Sequence, residues 1–179
     1  MNSKQFLKAM VAVLVMAMVV MGAAAALHGP AEAAARQEKI DVVRFMLPES
    51  ESFSQVACDG EDPSIVKVFQ GQTGYVIETL VAGYADDIHL MVGVDNSGSV
   101  TGITVRKMYE TVGLGSRACT DYHFLMQFLD TTGDAEVGQN VDALTGATVT
   151  SKAIARGVNA AVAYVTGADV SSGATSWGG

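Results

Sequence analysis

Apolar residues alternate with a period of two in segments between Ser64 and Arg106 and recur with three-and-four spacing from Thr120 onward, predicting strands followed by helices. Ser64-Ile-Val-Lys-Val-Phe69 alternates as a strand does, and Gln70-Gly-Gln-Thr-Gly74 turns it back into a second strand, Tyr75 to Val81, ended by Gly83. Ile88 to Val94 and Val100 to Arg106 flank Asp95-Asn-Ser-Gly98, whose residues tolerate positive φ; this is a hairpin. Thr120 to Leu129 sets Phe124, Leu125, Phe128 and Leu129 on one helical face, with Thr120 or Asp121 as cap. From near Thr150, Ala153, Ile154, Gly157, Val158, Ala161, Val162 and Val165 form the apolar stripe of a longer helix that Gly167 stops. Between these elements, Lys39 to Leu47 fits a short helix or a strand. Pro48 to Ser52 reads as a turn and helix start, Tyr109 to Arg117 as a glycine-bearing loop, and Thr131 to Asn140 as polar loop. Four strands with a few helices and no βαβ alternation predict an α+β domain, a small antiparallel sheet with flanking helices.

The N-terminus changes the picture. Lys4 and Lys8 precede an uncharged stretch from Ala9 to Leu27, about the length that spans a bilayer core. The lysines lie before it, so the rest of the chain is expected on the extracytoplasmic side. Ala31-Glu-Ala33 and Ala33-Ala-Ala35 also have the small residues of a signal-peptidase site, so residues 1–35 are either a single-pass inner-membrane anchor or a cleaved signal peptide. Either way residues 36–167 are expected as one exported domain and 168–179 as a flexible tail. The net charge of −8 offers no basic face for phosphate backbones, so no nucleic-acid partner is expected. Cys58 and Cys119 either form a disulfide, as export permits, or remain free thiols. Without a CxxC or HExxH, and with His28, His89 and His123 scattered, no metal or haem site is expected.

Candidate chemistry lies where a loop enters the last helix, at Asp142-Ala-Leu-Thr-Gly-Ala-Thr-Val-Thr-Ser-Lys152. A helix N-terminus offers unpaired N–H groups that stabilise a phosphate. Gly146 permits close backbone approach, Ala147 adds little bulk, and Thr148 presents a hydroxyl that can be esterified. Read locally, the same residues are a helix cap and a turn glycine. Glu110-Thr-Val-Gly-Leu-Gly115 is a second candidate. It lacks the third glycine and the strand–helix context of a dinucleotide fingerprint, so a Rossmann site is rejected.

Both stretches together resemble the FMN-binding domain family of the G subunit of Rnf ferredoxin:NAD+ oxidoreductase complexes and the C subunit of sodium-pumping NADH:quinone reductases. The family pattern of Asp, two residues, Ser or Thr, then Gly-Ala-Thr and a helix opening with Thr-Ser is met by Asp142, Thr145, Gly146, Ala147, Thr148, Thr150 and Ser151. Met91 to Asp95, Gly98 and Gly102 match the family hairpin, and Glu110 to Gly115 matches its Glu-Thr-Pro-Gly-Leu-Gly loop with Val112 in place of proline. The resemblance covers roughly Gly74 to Val165. It implies FMN attached covalently by a phosphoester to Thr148, made by a flavin transferase from FAD. It assigns Asp142, Thr145, Gly146 and Ala147 to recognition of the phosphate end. Glu110, Thr111, Gly113, Leu114 and Gly115 would contact the isoalloxazine ring. The implied activity is electron transfer within an Rnf-type ion-translocating complex, with other membrane subunits as partners. A free-standing exported flavoprotein shuttle or reductase is the alternative. Asp169-Val-Ser-Ser-Gly-Ala-Thr175 repeats the motif, but too little chain follows for a helix, so Thr175 is set aside as a second flavin site.

Overall fold

The computed structural model describes residues 40–58 and 62–168. The proposed membrane segment and the Thr175 repeat lie outside the described residues. Five antiparallel strands form one sheet in sequence order: β1 Ser54–Val56, β2 Ile65–Gln70, β3 Gly74–Ala82, β4 Asp87–Asp95 and β5 Val100–Lys107. The expected α+β class holds, with one strand more than predicted. That strand, β1, pairs Ser54 with Gln70 and Val56 with Val68. It stands where a helix start is predicted after Pro48. Three residues at an edge are too few for alternation to show, and the turn at 48–49 leads into pairing instead.

Residues 40–46 are helical (α1), which resolves the ambiguity over Lys39 to Leu47 in favour of a helix. The Thr101 hydroxyl donates to the Met46 carbonyl at 2.8 Å, capping the end of α1 on the sheet. Val43, Met46 and Leu47 bury Val76 and Met91 on that face. The opposite face carries the main core, in which α4 (Thr148–Thr166) covers Ile77, Val81, Leu90 and Val92. Strand β4, covered on both faces, therefore reads as a nearly continuous apolar run.

The single helix predicted from Thr120 to Leu129 is broken. Asp121 is extended (φ −74°, ψ 110°) and separates α2 (Gly115–Thr120) from α3 (Tyr122–Met126). Its carboxylate accepts the Phe124 N–H at 3.2 Å, so it caps a new helix. The glycine-bearing loop accordingly ends at Leu114, and α2 occupies its last predicted residues. Phe124 and Phe128 are fully buried and meet edge to face with ring centroids 5.3 Å apart. Among the described residues, no helix is long and apolar enough to cross a membrane.

Candidate functional site

The β3–β4 turn, the loop leaving β5 and the start of α4 meet at one end of the sheet. Helix α4 begins at Thr148, two residues earlier than predicted, and its N-cap is Ala147. Ala147 has no side chain to cap with, and its buried methyl packs into the core while its carbonyl accepts the Ser151 N–H at 2.8 Å. The local reading of Thr148 as a helix cap is therefore corrected: it is the first helical residue and it is exposed. No side chain caps the first turn and no acidic residue lies within it. Its N–H groups keep their capacity for an anion, which the helix dipole favours.

The approach to Thr148 is a tight turn in which the Ala147 N–H reaches the Leu144 carbonyl at 2.9 Å. Gly146 has φ +79°, a left-handed conformation that disfavours any side chain. A Cβ there would also stand 2.9 Å from Leu114 Cδ2, so the two sequence motifs touch at this point. Thr145 and Asp142 are exposed. The backbone of Asp142 is held by Gln127, whose Oε1 accepts the Asp142 N–H at 2.8 Å. Gln127 is missed by sequence reading, since its partner lies 15 residues further along the chain.

In the second motif, the Thr111 carbonyl accepts the N–H groups of Leu114 and Ser116, both at 3.2 Å, and Ser116 Oγ accepts the Gly113 N–H at 3.0 Å. Thr111, Gly113 and Leu114 are exposed, whereas Gly115 is buried at the start of α2. Val112 is 91 % exposed at the tip, so the missing proline removes a conformational restraint but no contact. Glu110 behaves differently. It is half-buried, and its carboxylate takes the Tyr84 N–H at 2.8 Å, the Ala85 N–H at 3.2 Å and the Thr150 hydroxyl at 3.0 Å. Tyr84, Ala85 and Thr150 are thus part of the site's frame, and only Thr150 belongs to a sequence motif.

Cys119 is buried next to this frame, and Cys58 is exposed with its thiol 3.5 Å from the Val66 carbonyl. The structure takes the free-thiol alternative for both. Burial, and secondarily the charge of Glu110, push the Cys119 thiol up to about 11.

The residues present fit FMN. The uncapped turn that begins at Thr148 suits a phosphate, and Leu114, exposed and beside Gly146, is an apolar side chain suited to a planar ring. Fold and site define a small α+β domain with an exposed threonine hydroxyl at an uncapped helix start. Residues 83–163 match the FMN-binding domain model. The chain is 34 % identical over 144 residues to the G subunit of the proton-translocating ferredoxin:NAD+ oxidoreductase complex of Clostridium ljungdahlii, covering 75 % of this chain and 76 % of that one. It is 31 % identical over 183 residues to the G subunit of an ion-translocating oxidoreductase complex from Methanosarcina acetivorans, covering 92 % and 96 %. The G subunit of the Na+-translocating ferredoxin:NAD+ oxidoreductase complex of Acetobacterium woodii is 35 % identical over 98 residues, half of this chain and 47 % of that one. The chain belongs to the FMN-binding domain family, together with these G subunits. It is an electron-transfer flavoprotein that resembles them.

Proposed function

We propose that this chain carries FMN as a phosphoester on Thr148 and serves as the electron-carrying G-type subunit of an Rnf-type ion-translocating complex. The observation that carries the reading is the start of α4: Thr148 is exposed as the first helical residue, and no side chain caps the N–H groups around it. Attachment forms a bond between Thr148 Oγ and the FMN phosphorus of FAD, breaks the anhydride bond to AMP, and releases the hydroxyl proton. A flavin transferase is the partner for this step. The exposure of Thr148 supports access by a second protein, and Gly146 leaves the approach free of a side chain. Bound FMN supplies one- and two-electron redox chemistry. The protein's own work is to hold the phosphate at the first turn of α4 and to offer Leu114 and its apolar neighbours as a surface for the ring.

Residues 1–35 act as the membrane anchor, with residues 36–167 as the domain on the extracytoplasmic side and 168–179 as a tail. Lys4 and Lys8 before Ala9 to Leu27 support this orientation. In an open compartment a dissociable flavin is diluted away, whereas an esterified one is retained. Electrons then pass between the flavin and redox centres of the other membrane subunits, and ion translocation belongs to those subunits.

The test is intact mass and denaturation-resistant flavin absorbance of the purified full-length chain. One FMN addition is expected, and it should disappear in Thr148→Val. Covalent flavin that survives in Thr148→Val with Thr175 also replaced would sink the assignment. A single addition lost only on replacing Thr175 would move the site to the tail. Processing after Ala33 or Ala35, with purification free of membrane subunits, would favour the free-standing shuttle instead.

A further inference from the structure

We propose that Glu110 is a positioning residue for flavin attachment: its carboxylate fastens three chain segments so that the first turn of α4 presents the Thr148 hydroxyl to the flavin donor. The proposal rests on Thr148 as the attachment point and deepens that reading. It gives Glu110 a role behind the flavin surface in place of a contact with the ring.

The geometry is that of a pin. Oε1 accepts the N–H groups of Tyr84 at 2.8 Å and Ala85 at 3.2 Å, from a turn 25 and 26 residues away in sequence. Oε2 accepts the hydroxyl of Thr150 at 3.0 Å, from 40 residues away. Thr150 is buried, with 1 % of its surface accessible, and lies two residues beyond Thr148 in the same helical turn. Anything that holds Thr150 therefore sets the rotation and tilt of the turn on which the Thr148 hydroxyl sits.

The space around the carboxylate is cut to its size. A Cβ at Gly83 would collide with Oε1, and one at Gly115 would collide with Oε2. Two glycines from different segments thus make room for one side chain, and each adjoins a segment that the carboxylate ties. Both oxygens are engaged by the protein itself. The carboxylate's negative charge is met by two amide dipoles and a hydroxyl, which reduces its opposition to an incoming phosphate. Its influence on buried Cys119 fits a charge directed toward the frame.

Attachment needs Thr148 Oγ in line with the bond that breaks between the FMN phosphorus and the AMP phosphate oxygen. A displacement of about 1 Å in such a reaction costs on the order of a hundredfold in rate. The Glu110 pin reaches the helix start from behind, so its loss should leave the fold standing while the hydroxyl is presented less accurately.

The experiment follows covalent flavin on the full-length apo chain by intact mass over time, with purified flavin transferase and FAD. Glu110→Gln keeps the shape but replaces one accepting oxygen with a donor. Thr150→Val removes only the hydroxyl, and Thr150→Ser restores it. We expect Glu110→Gln and Thr150→Val to slow attachment by roughly tenfold to a hundredfold per folded molecule, with near-UV circular dichroism unchanged and Thr150→Ser close to wild type. Wild-type attachment rates in both Glu110→Gln and Thr150→Val would overturn the proposal. So would a Thr150→Ser variant as slow as Thr150→Val, or a loss that tracks global unfolding. The Thr148→Val chain separates the two readings: if it still takes up covalent flavin, the attachment site is wrong whatever Glu110→Gln does.

Discussion

Replacing Gly115 by Ala sets helix propensity against packing, and the magnitudes predict which prevails. Gly115 opens α2, where alanine is intrinsically favoured by up to about 1 kcal/mol. Propensity alone therefore predicts a stabler protein. The added Cβ, however, would collide with Glu110 Oε2 and stand 2.9 Å from Thr150 Oγ1 and 3.1 Å from Glu110 Cβ. The carboxylate must move, and it gives up its bond to Thr150 and strains those to Tyr84 and Ala85. A hydrogen bond to a charged group contributes about 1.5–3 kcal/mol. Because Glu110 is only half-buried, the lower end of that range applies to the lost bond, and partial weakening of the other two adds about as much again. Set against the propensity gain, the net expectation is a loss of about 1–3 kcal/mol. For a domain of this size that lowers Tm by roughly 3–12 °C. Thermal unfolding of the apo chain measures it, and the covalent flavin that the same chain takes up from FAD with flavin transferase should fall. A Tm equal to or above wild type, with full flavin content, would refute the argument that Gly115 exists to seat the Glu110 carboxylate.

Other outcomes follow from the same structure. Phe128→Ala removes a ring that is 0 % exposed and stacked edge to face on Phe124, so urea unfolding should show a loss of about 3–5 kcal/mol. In the native protein, a maleimide or disulfide reagent at pH 8 should label exposed Cys58 and spare buried Cys119, and labelling of both without denaturant would contradict the packing. Burial, and secondarily the charge of Glu110, push the Cys119 thiol up from the ordinary 9.0 to about 11, so between these values an unfolded chain loses a proton that the folded one keeps. Stability should therefore fall as pH rises from about 9 to about 11, and Cys119→Ala should flatten that part of the pH profile.

What the sequence makes legible here is what short-range periodicity encodes. The β4–β5 hairpin announces itself by alternation around Asp95 to Gly98, and α4 by an apolar stripe that the core then buries. The break at Asp121 is hidden because four apolar residues at helical spacing look alike whether one helix or two carry them. Only the competition between the Asp121 side chain and the backbone decides it. Strand β1 is hidden because its pairing with β2, rather than its own pattern, makes it a strand.

The site divides along the same line. The proposed attachment point, the Thr148 hydroxyl beside Gly146, stands in one short motif and can be read directly. Its rigidity cannot, because it comes from side chains reaching across long stretches of chain: Glu110 to Thr150, Gln127 to Asp142, and Asn159 to both the N–H and the carbonyl of Ala135. Each bond ties a loop to a helix or turn that precedes or follows it by many residues. Loops otherwise open at little free-energy cost, and a helix start entered through such a loop would sample more orientations. Here the loops are held by polar bonds from their flanks, while Thr111, Leu114 and Thr148 stay exposed. Residue identity at the motif thus states what reaction is possible. On the proposed reading, the remote carboxylate and amide partners set how accurately the Thr148 oxygen is held.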